Sequence, residues 1–315
     1  MCLKPKYATY AYKHKLNENT GEIELIKEIK FINLYDLNEN TPLQDKIITI
    51  PCGKCEQCQI AKANEWATRA YLESKQWKKN AFITLTYDNK NISKNRSLCK
   101  KDLQDFWKRL RKTQKEPIRY LACGEYGRNT LRPHYHAIVF NYFPDDAKFY
   151  KWNDEHQPLY TSKELNKIWG NGYAIIGNAN YETMAYTARY IFKKSYGITS
   201  DIHLKHKREP EFIVTSRKGG IGINALEQIK KLKTGIPIKT TNGIKIKEIP
   251  TFLKNKWKEQ NREEYFEWAD THARELKTLA RARVEQTSKN IFDIQKDQNE
   301  KTHKQLIRLD KRNQI

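Results

Sequence analysis

Apolar residues change period several times between residues 81 and 195, and each change predicts an element. Ala81-Phe82-Ile83-Thr84-Leu85-Thr86-Tyr87, closed by Asp88-Asn89, is rich in β-branched and aromatic residues and predicts a central strand. From Lys101 to Lys112, Leu103, Phe106, Trp107 and Leu110 recur at i, i+3, i+4, i+7, an amphipathic helix with Lys108, Arg109, Arg111 and Lys112 left to solvent. Strands are predicted over Ile118–Cys123 and His134–Phe140. After a Pro/Asp-containing excursion to about Pro158 come a helix near Lys163–Trp169, stopped by Gly170-Asn171-Gly172, and a strand over Tyr173–Ile176. Asn180–Ser195 reads as a helix whose Met184, Ala188, Ile191 and Phe192 pack on the sheet. The order predicts an α+β fold: a central antiparallel sheet that packs helices on one face and presents functional side chains on the other.

The flanks differ from this core. Residues 1–60 mix short β-type runs (Lys6–Tyr12, Gly21–Phe31, Lys46–Ile50) with Asn/Glu/Thr turns, then reach Cys52-Gly53-Lys54-Cys55-Glu56-Gln57-Cys58 at the head of a helical stretch to about Lys79. Residues 223–232 read as helical and 234–248 as a Gly-bounded hairpin of alternating Ile and Lys. From Lys254 the chain is charged and helix-prone, predicting a docked helix and then a partly disordered basic tail. Three segments are therefore expected: an N-terminal β-rich cysteine module at 1–60, the main domain at 61–235, and a C-terminal hairpin with a charged, basic helical extension at 236–315.

Charge narrows the partner. The 315 residues hold 59 Lys and Arg against 37 Asp and Glu, a formal +22, which calls for a polyanion. The 7 Trp, 18 Tyr and 11 Phe supply stacking surfaces, so single-stranded nucleic acid fits better than a membrane surface. No apolar run approaches a membrane span, and MCLKPKYATY lacks a signal-peptide core, so a cytoplasmic location is expected. Six cysteines in that compartment are expected reduced, and their spacing is read first for metal.

Candidate chemistry concentrates in two places. Side chains two apart on a strand point the same way, so His134 and His136 share a face. Glu125 returns beside His134 if the two strands pair antiparallel through Gly127, Arg128, Asn129 and Pro133. One carboxylate and two imidazoles suit a divalent cation with open positions, magnesium or manganese rather than a closed structural zinc; the plain reading is two histidines hydrogen-bonded at a sheet edge. On the helix after it, Tyr186 and Tyr190 stack one turn apart, with Lys193 between their directions and Lys194, Thr183 and Thr187 flanking; ordinary amphipathic packing is the alternative. Cys52, Cys55 and Cys58, with Cys2 as fourth ligand, suit a tetrahedral zinc. An iron–sulfur cluster and reduced cysteines capping a helix are the competing readings. Cys99 and Cys123 stand apart. The basic cluster His203, Lys205, His206, Lys207, Arg208 reads as a solvated loop, and Ser216–Gly222 as a glycine-rich loop able to hold a phosphate.

Four stretches carry a family resemblance: Phe82–Tyr87, Gly124-Glu125-Tyr126-Gly127, Arg132-Pro133-His134-Tyr135-His136, and Tyr186–Lys194. In this order they resemble the HUH endonucleases, and among them the rolling-circle replication initiators of gokushovirus-type microviruses, relatives of the gene A proteins of small single-stranded DNA phages. The resemblance reaches the Pro51–Cys55 block. It implies an HUH nuclease-like sheet with Phe82–Tyr87 beside the metal strand, and the tyrosine helix across the metal face. It implies a metal on Glu125, His134 and His136, attack by Tyr186 or Tyr190 to form a 5′-phosphotyrosine, and Lys193 and Lys194 assisting. The expected substrate is single-stranded phage origin DNA, with Arg128 and Arg132 as phosphate contacts. A host helicase or polymerase is the expected partner and the bacterial host cytoplasm the compartment. A non-catalytic single-stranded nucleic-acid-binding protein, or an HUH transposase or relaxase, are the alternatives.

Overall fold

A computed structural model of the chain describes residues 4–16, 23–32, 48–127, 130–190, 207–232, 235–241 and 243–285, with Cys2, Gly21 and three isolated positions beyond 285. Contacts divide it into two units, Met1–Ala61 and Lys62–Ile315. In the first, the β-type runs pair as an antiparallel sheet of β1 (Lys6–Leu16), β2 (Ile23–Ile32) and β3 (Ile48–Ile50), with β1 central. Helix α1 (Glu56–Ser74) starts inside the cysteine knuckle, five residues short of the expected end at Lys79.

In the second unit, β4 (Asn80–Tyr87) alternates as a two-faced strand must: Ala81, Ile83, Leu85 and Tyr87 are buried, with Phe82, Thr84 and Thr86 on the other side. After α2 (Lys100–Thr113) come β5 (Arg119–Tyr126), β6 (Pro133–Phe140), β7 (Lys148–Trp152), β8 (Pro158–Thr161), α3 (Lys163–Trp169), β9 (Gly172–Asn178), α4 (Tyr181–Tyr190) and β10 (Phe212–Thr215). The strands form one antiparallel sheet in the order β10-β5-β6-β4-β9-β8-β7. The excursion after Phe140 is thus a hairpin that extends the sheet, and β10 closes the opposite edge.

On one face Leu103, Phe106, Trp107 and Leu110 of α2 and Leu165, Ile168 and Trp169 of α3 bury Ile83, Leu85, Tyr135, Ala137 and Val139. Each large side chain so removed from water contributes roughly 1.5–3 kcal/mol. Within this core the Tyr87 and Tyr135 hydroxyls meet at 2.7 Å and Tyr87 donates to Asp102 at 2.7 Å, so the buried phenols are satisfied. α3 is capped by Ser162, which accepts from the Leu165 N–H, and by Gly170 at φ 72.

The opposite face is covered too. Leu121, Ile138 and Phe140 pack against Ala70 of α1, Met184 of α4 and Ile221, which corrects the expectation of helices on a single face. The cause is visible in Ala137-Ile138-Val139-Phe140: an unbroken apolar run, buried throughout, needs cover on both sides. Beyond β10 lie a short 3-10 turn (Ile223–Ala225), α5 (Leu226–Lys230), a hairpin of β11 (Ile236–Thr240) and β12 (Gly243–Lys247), α6 (Thr251–Gln260) and α7 (Arg262–Glu285). Ile229, Ile236, Ile238, Leu253 and Trp257 from these pack with Ala67 and Leu72 of α1 and Tyr181 and Ala188 of α4. The predicted basic tail lies outside the described residues apart from three positions.

The glycine-rich loop is a latch rather than a phosphate cradle. The Gly222 N–H donates to buried Glu73 at 2.7 Å and the Gly220 N–H to the Arg217 carbonyl at 3.0 Å, while Arg119 donates to the Lys218 and Gly220 carbonyls at 2.9 and 2.6 Å. Its donors are consumed internally.

Candidate metal centre and nucleophile helix

Glu125 and His134 meet because β5 and β6 pair antiparallel with these two residues directly opposite, and Cys123 opposite His136. The connecting turn is held by the Gly127 N–H to Arg132 carbonyl bond at 3.0 Å and the Leu131 N–H to Gly127 carbonyl bond at 2.8 Å. Arg132 donates from Nη2 to the Tyr87 carbonyl at 2.7 Å and to Asn89 Oδ1 at 2.9 Å, so its guanidinium ties this turn to the end of β4. Arg128 lies outside the described residues.

Glu125 Oε1 lies 2.5 Å from His134 Nε2 and 3.0 Å from His136 Nε2. Glu125 is 3% exposed and His136 7%. The far nitrogens are engaged: His134 Nδ1 is 3.1 Å from the Arg132 carbonyl, and His136 Nδ1 is 2.9 Å from Thr84 Oγ1. A carbonyl only accepts, so His134 Nδ1 carries the proton, and His136 takes the same tautomer when the Thr84 hydroxyl accepts. Both neutral rings then direct an Nε2 lone pair at the carboxylate. Phe82 stacks flat on His136, centroids 5.4 Å apart at 9°, and fixes its plane.

Two lone pairs and a carboxylate converging on one point repel unless a proton or a cation sits between them. Burial alone would push the Glu125 carboxyl up, but the imidazoles of His136 and His134 outweigh it and hold it at about 2, so it is ionised. Burial drives His136 down, against the pull of Glu125, toward the neutral ring that ligates metal. The other carboxylate oxygen, Oε2, is buried with no hydrogen-bond partner among the described residues, a cost that a cation would remove. The three ligand atoms lie within 4.8 Å of one another. These residues fit a divalent cation.

Helix α4 brings a phenol to this point. Asn180 caps it, its Oδ1 accepting from the Thr183 N–H at 2.8 Å while Thr183 Oγ1 accepts from the Asn180 N–H at 3.0 Å. Tyr181, Met184 and Ala188 are buried. Tyr186 turns to the metal face, its Oη 3.4 Å from His136 Nε2 and its ring edge-on to His136 and Phe82. The Arg189 guanidinium is 6.0 Å from the Tyr186 ring centre. Thr187, expected to flank the tyrosines, is fully buried and donates to the Thr183 carbonyl at 2.9 Å, because a threonine hydroxyl can be satisfied within its own helix. Tyr190 ends α4 one turn after Tyr186; its side chain, the continuation of the helix to Ser195, Lys193, Lys194 and the 203–206 cluster lie outside the described residues. The sequence reading assigned no site role to Thr84, Phe82 or Arg189. Thr84 is detectable only once β4 and β6 are known to pair with Thr84 opposite His136.

A second cluster sits in the first unit. Cys2 Sγ is 3.6 Å from Cys55 Sγ, Cys52 Sγ is 4.0 Å from Cys58 Sγ, and all four sulfurs lie within 4.8 Å of one another. A tetrahedron with arms of ~2.3 Å has edges of roughly 3.8 Å, so the four thiols are spaced for zinc. The Cys55 and Lys54 N–H groups donate to Cys52 Sγ at 3.3 and 3.4 Å and pull that thiol down, while burial pushes Cys58 up to about 12. All four cysteines are free.

Fold and sites together define an α+β protein with a Glu/His/His centre beneath a tyrosine helix and a four-cysteine cluster near its start. The chain belongs to the family of replication-associated proteins typified by ORF2 and the gene 2 protein, whose model matches residues 80–195, the span from β4 past α4 that carries both halves of the site. It is 32% identical over 244 residues to replication-associated protein ORF2 of Spiroplasma virus 4, covering 74% of each chain. It is 37% identical over 187 residues to replication-associated protein VP4 of Bdellovibrio phage phiMH2K, across 56% of this chain and 58% of that protein. Replication-associated protein ORF4 of Chlamydia phage 1 is 29% identical over 185 residues, 54% of this chain and 45% of the phage protein. No solved structure matches the chain. Among the described residues, no helix is long and apolar enough to cross a membrane.

Proposed function

We propose that this protein is a rolling-circle replication initiator of the HUH endonuclease type, which nicks and religates single-stranded DNA at an origin through a covalent 5′-phosphotyrosine. The observation that carries the reading is the approach of Tyr186 Oη to 3.4 Å from His136 Nε2, which puts a nucleophile beside the three ligands. A divalent cation, magnesium or manganese, held by Glu125, His134 and His136 supplies Lewis-acid polarisation of the scissile phosphate. Tyr186 or Tyr190 forms an Oη–phosphorus bond as the P–O3′ bond breaks and the 3′ oxygen leaves as a hydroxyl. A phenol ionises near ~10, so cationic neighbours must favour the phenolate; Arg189 is one, and Lys193 and Lys194 are assigned the same task. The covalent link conserves the phosphodiester, and the second tyrosine takes part in the strand transfer that circularises a unit-length product. Residues 61–235 are assigned to the nuclease domain, 1–60 to a zinc module and 236–315 to an extension. The setting is the bacterial host cytoplasm, with origin DNA as substrate and a host helicase or polymerase as partner.

The test is incubation with labelled circular single-stranded DNA of the source genome and manganese, followed by a denaturing gel. A metal-dependent DNA–protein adduct is expected, lost in Tyr186→Phe with Tyr190→Phe and in His134→Ala with His136→Ala. Absence of any adduct, with DNA binding indifferent to the histidine substitutions, would favour a non-catalytic binding protein.

A further inference from the structure

The five residues of β7, Lys148-Phe149-Tyr150-Lys151-Trp152, are all exposed, with Phe149, Tyr150 and Trp152 at 54%, 55% and 60%. Water rarely faces so dense an aromatic patch on a soluble protein that has no partner for it. This strand is the outer edge of the sheet that carries the Glu/His/His centre.

The register shows which way its side chains point. Lys148 pairs with Thr161, Thr161 with Ile175, and Ile175 is two residues from Tyr173 on β9. Tyr173 pairs with Thr86 and Thr86 with His134. Directly paired residues share a face, so Tyr173 and Lys148 lie on the metal side, as does Lys151 opposite Leu159. Tyr173 is 62% exposed and two strands from His134, roughly 10 Å; β7 lies four strands from β6, roughly 19 Å. Tyr150 sits at a bulge with the Lys151 ammonium 5.8 Å from its ring. Phe149 and Trp152, 5.4 Å apart, face the other side of the edge.

We infer that Tyr173 and the edge strand β7 form a platform for single-stranded DNA, leading from the metal centre to the rim of the sheet. This deepens the nuclease reading and takes its substrate from it. Tyr173 stacks a base beside the centre, Lys148 and Lys151 meet phosphates, and the rim aromatics stack bases where the strand turns over the edge. Interleaved ammoniums and flat rings match a chain of alternating phosphates and bases. A duplex hides its base faces and uses only the charges.

The experiment measures binding by the full-length protein of a labelled oligothymidine long enough to cross the sheet, in chelator, by fluorescence anisotropy. Tyr173→Ala is expected to weaken it about tenfold while Tyr173→Phe retains it, and Phe149→Ser with Trp152→Ser to weaken it similarly. Lys148→Gln with Lys151→Gln should lower the slope of log K against log salt by about 1.4. All positions are exposed, so thermal midpoints stay at the wild-type value, and the aromatic variants bind duplex DNA as wild type does. Wild-type oligothymidine affinity in every variant, or aromatic variants that weaken duplex binding equally, would overturn the platform. Failure of the nuclease reading shows separately: wild type would give no covalent adduct while the binding losses stand. An adduct with binding unaffected by any of these substitutions would sink the platform alone.

Discussion

Thr84 and His136 face each other across β4 and β6, and their 2.9 Å contact carries more weight than its size suggests. An imidazole ligates through one nitrogen only if the other holds the proton, so the partner of Nδ1 chooses the ligating atom. Thr84→Val keeps the shape and removes the acceptor. Manganese affinity measured by calorimetry should fall about 10–100-fold, with Thr84→Ser close to wild type. An unchanged affinity in Thr84→Val would reduce Thr84 to a packing residue. Glu73 is the corresponding residue of the fold. It is fully buried and holds Arg119 at 2.8 Å, the Gly222 N–H at 2.7 Å and the Trp77 indole N–H at 3.1 Å. Glu73→Ala leaves a buried guanidinium without its counter-charge, so denaturant unfolding should show a loss of about 3–5 kcal/mol. Lys79→Ala, which breaks a pair exposed on both sides, should leave the midpoint where it was.

Helix α4 and the β5–β6 pair must be positioned together for Tyr186 to reach His136, and the cap at Asn180 sets where the helix begins. Asn180→Ala removes the acceptor for the Thr183 N–H and should lower stability by about 1 kcal/mol in a thermal or urea melt. A wild-type melt would mean that packing of Met184 and Ala188 holds the helix without it. These elements were legible in the sequence because each has a strong local signal. His134-Tyr135-His136 heads an apolar run, Leu103 to Leu110 keeps a clean helical period, and Ser162 with Gly170 brackets α3. The hairpin of β7 and β8 escaped because Lys148 to Trp152 mixes charge with aromatics on an exposed edge, so neither face shows a buried stripe. β10 escaped because four residues hold too few repeats to show a period. Cover on both faces of β6 was written in its unbroken apolar run, yet which helices supply it depends on long-range packing that no local pattern encodes. Thr187 was misplaced because helical phase put it near the tyrosines, while its hydroxyl was satisfied within the helix.

The molecule holds two metal-competent clusters of different chemistry, and the difference predicts separate behaviour. Four thiols are soft ligands closed around one point; one carboxylate and two imidazoles are harder and leave positions open. The unit holding the cysteines, Met1–Ala61, has a three-stranded sheet with Leu16, Ile23, Ile29 and Phe31 exposed. A segment so short buries too little apolar surface to be stable alone, and a structural metal is the usual remedy. Purified protein should therefore carry one zinc per chain by elemental analysis. Cys52→Ser with Cys55→Ser should abolish it, and hydrogen exchange should then show residues 48–61 opened while the sheet from β4 to β9 keeps its protection. The same variant should still bind manganese with wild-type affinity, because none of its lost ligands belongs to the Glu125 centre. Zinc retained after both substitutions, or iron in its place, would remove the cluster from the account of this unit's stability. Loss of manganese binding would mean that the two centres are coupled through the fold.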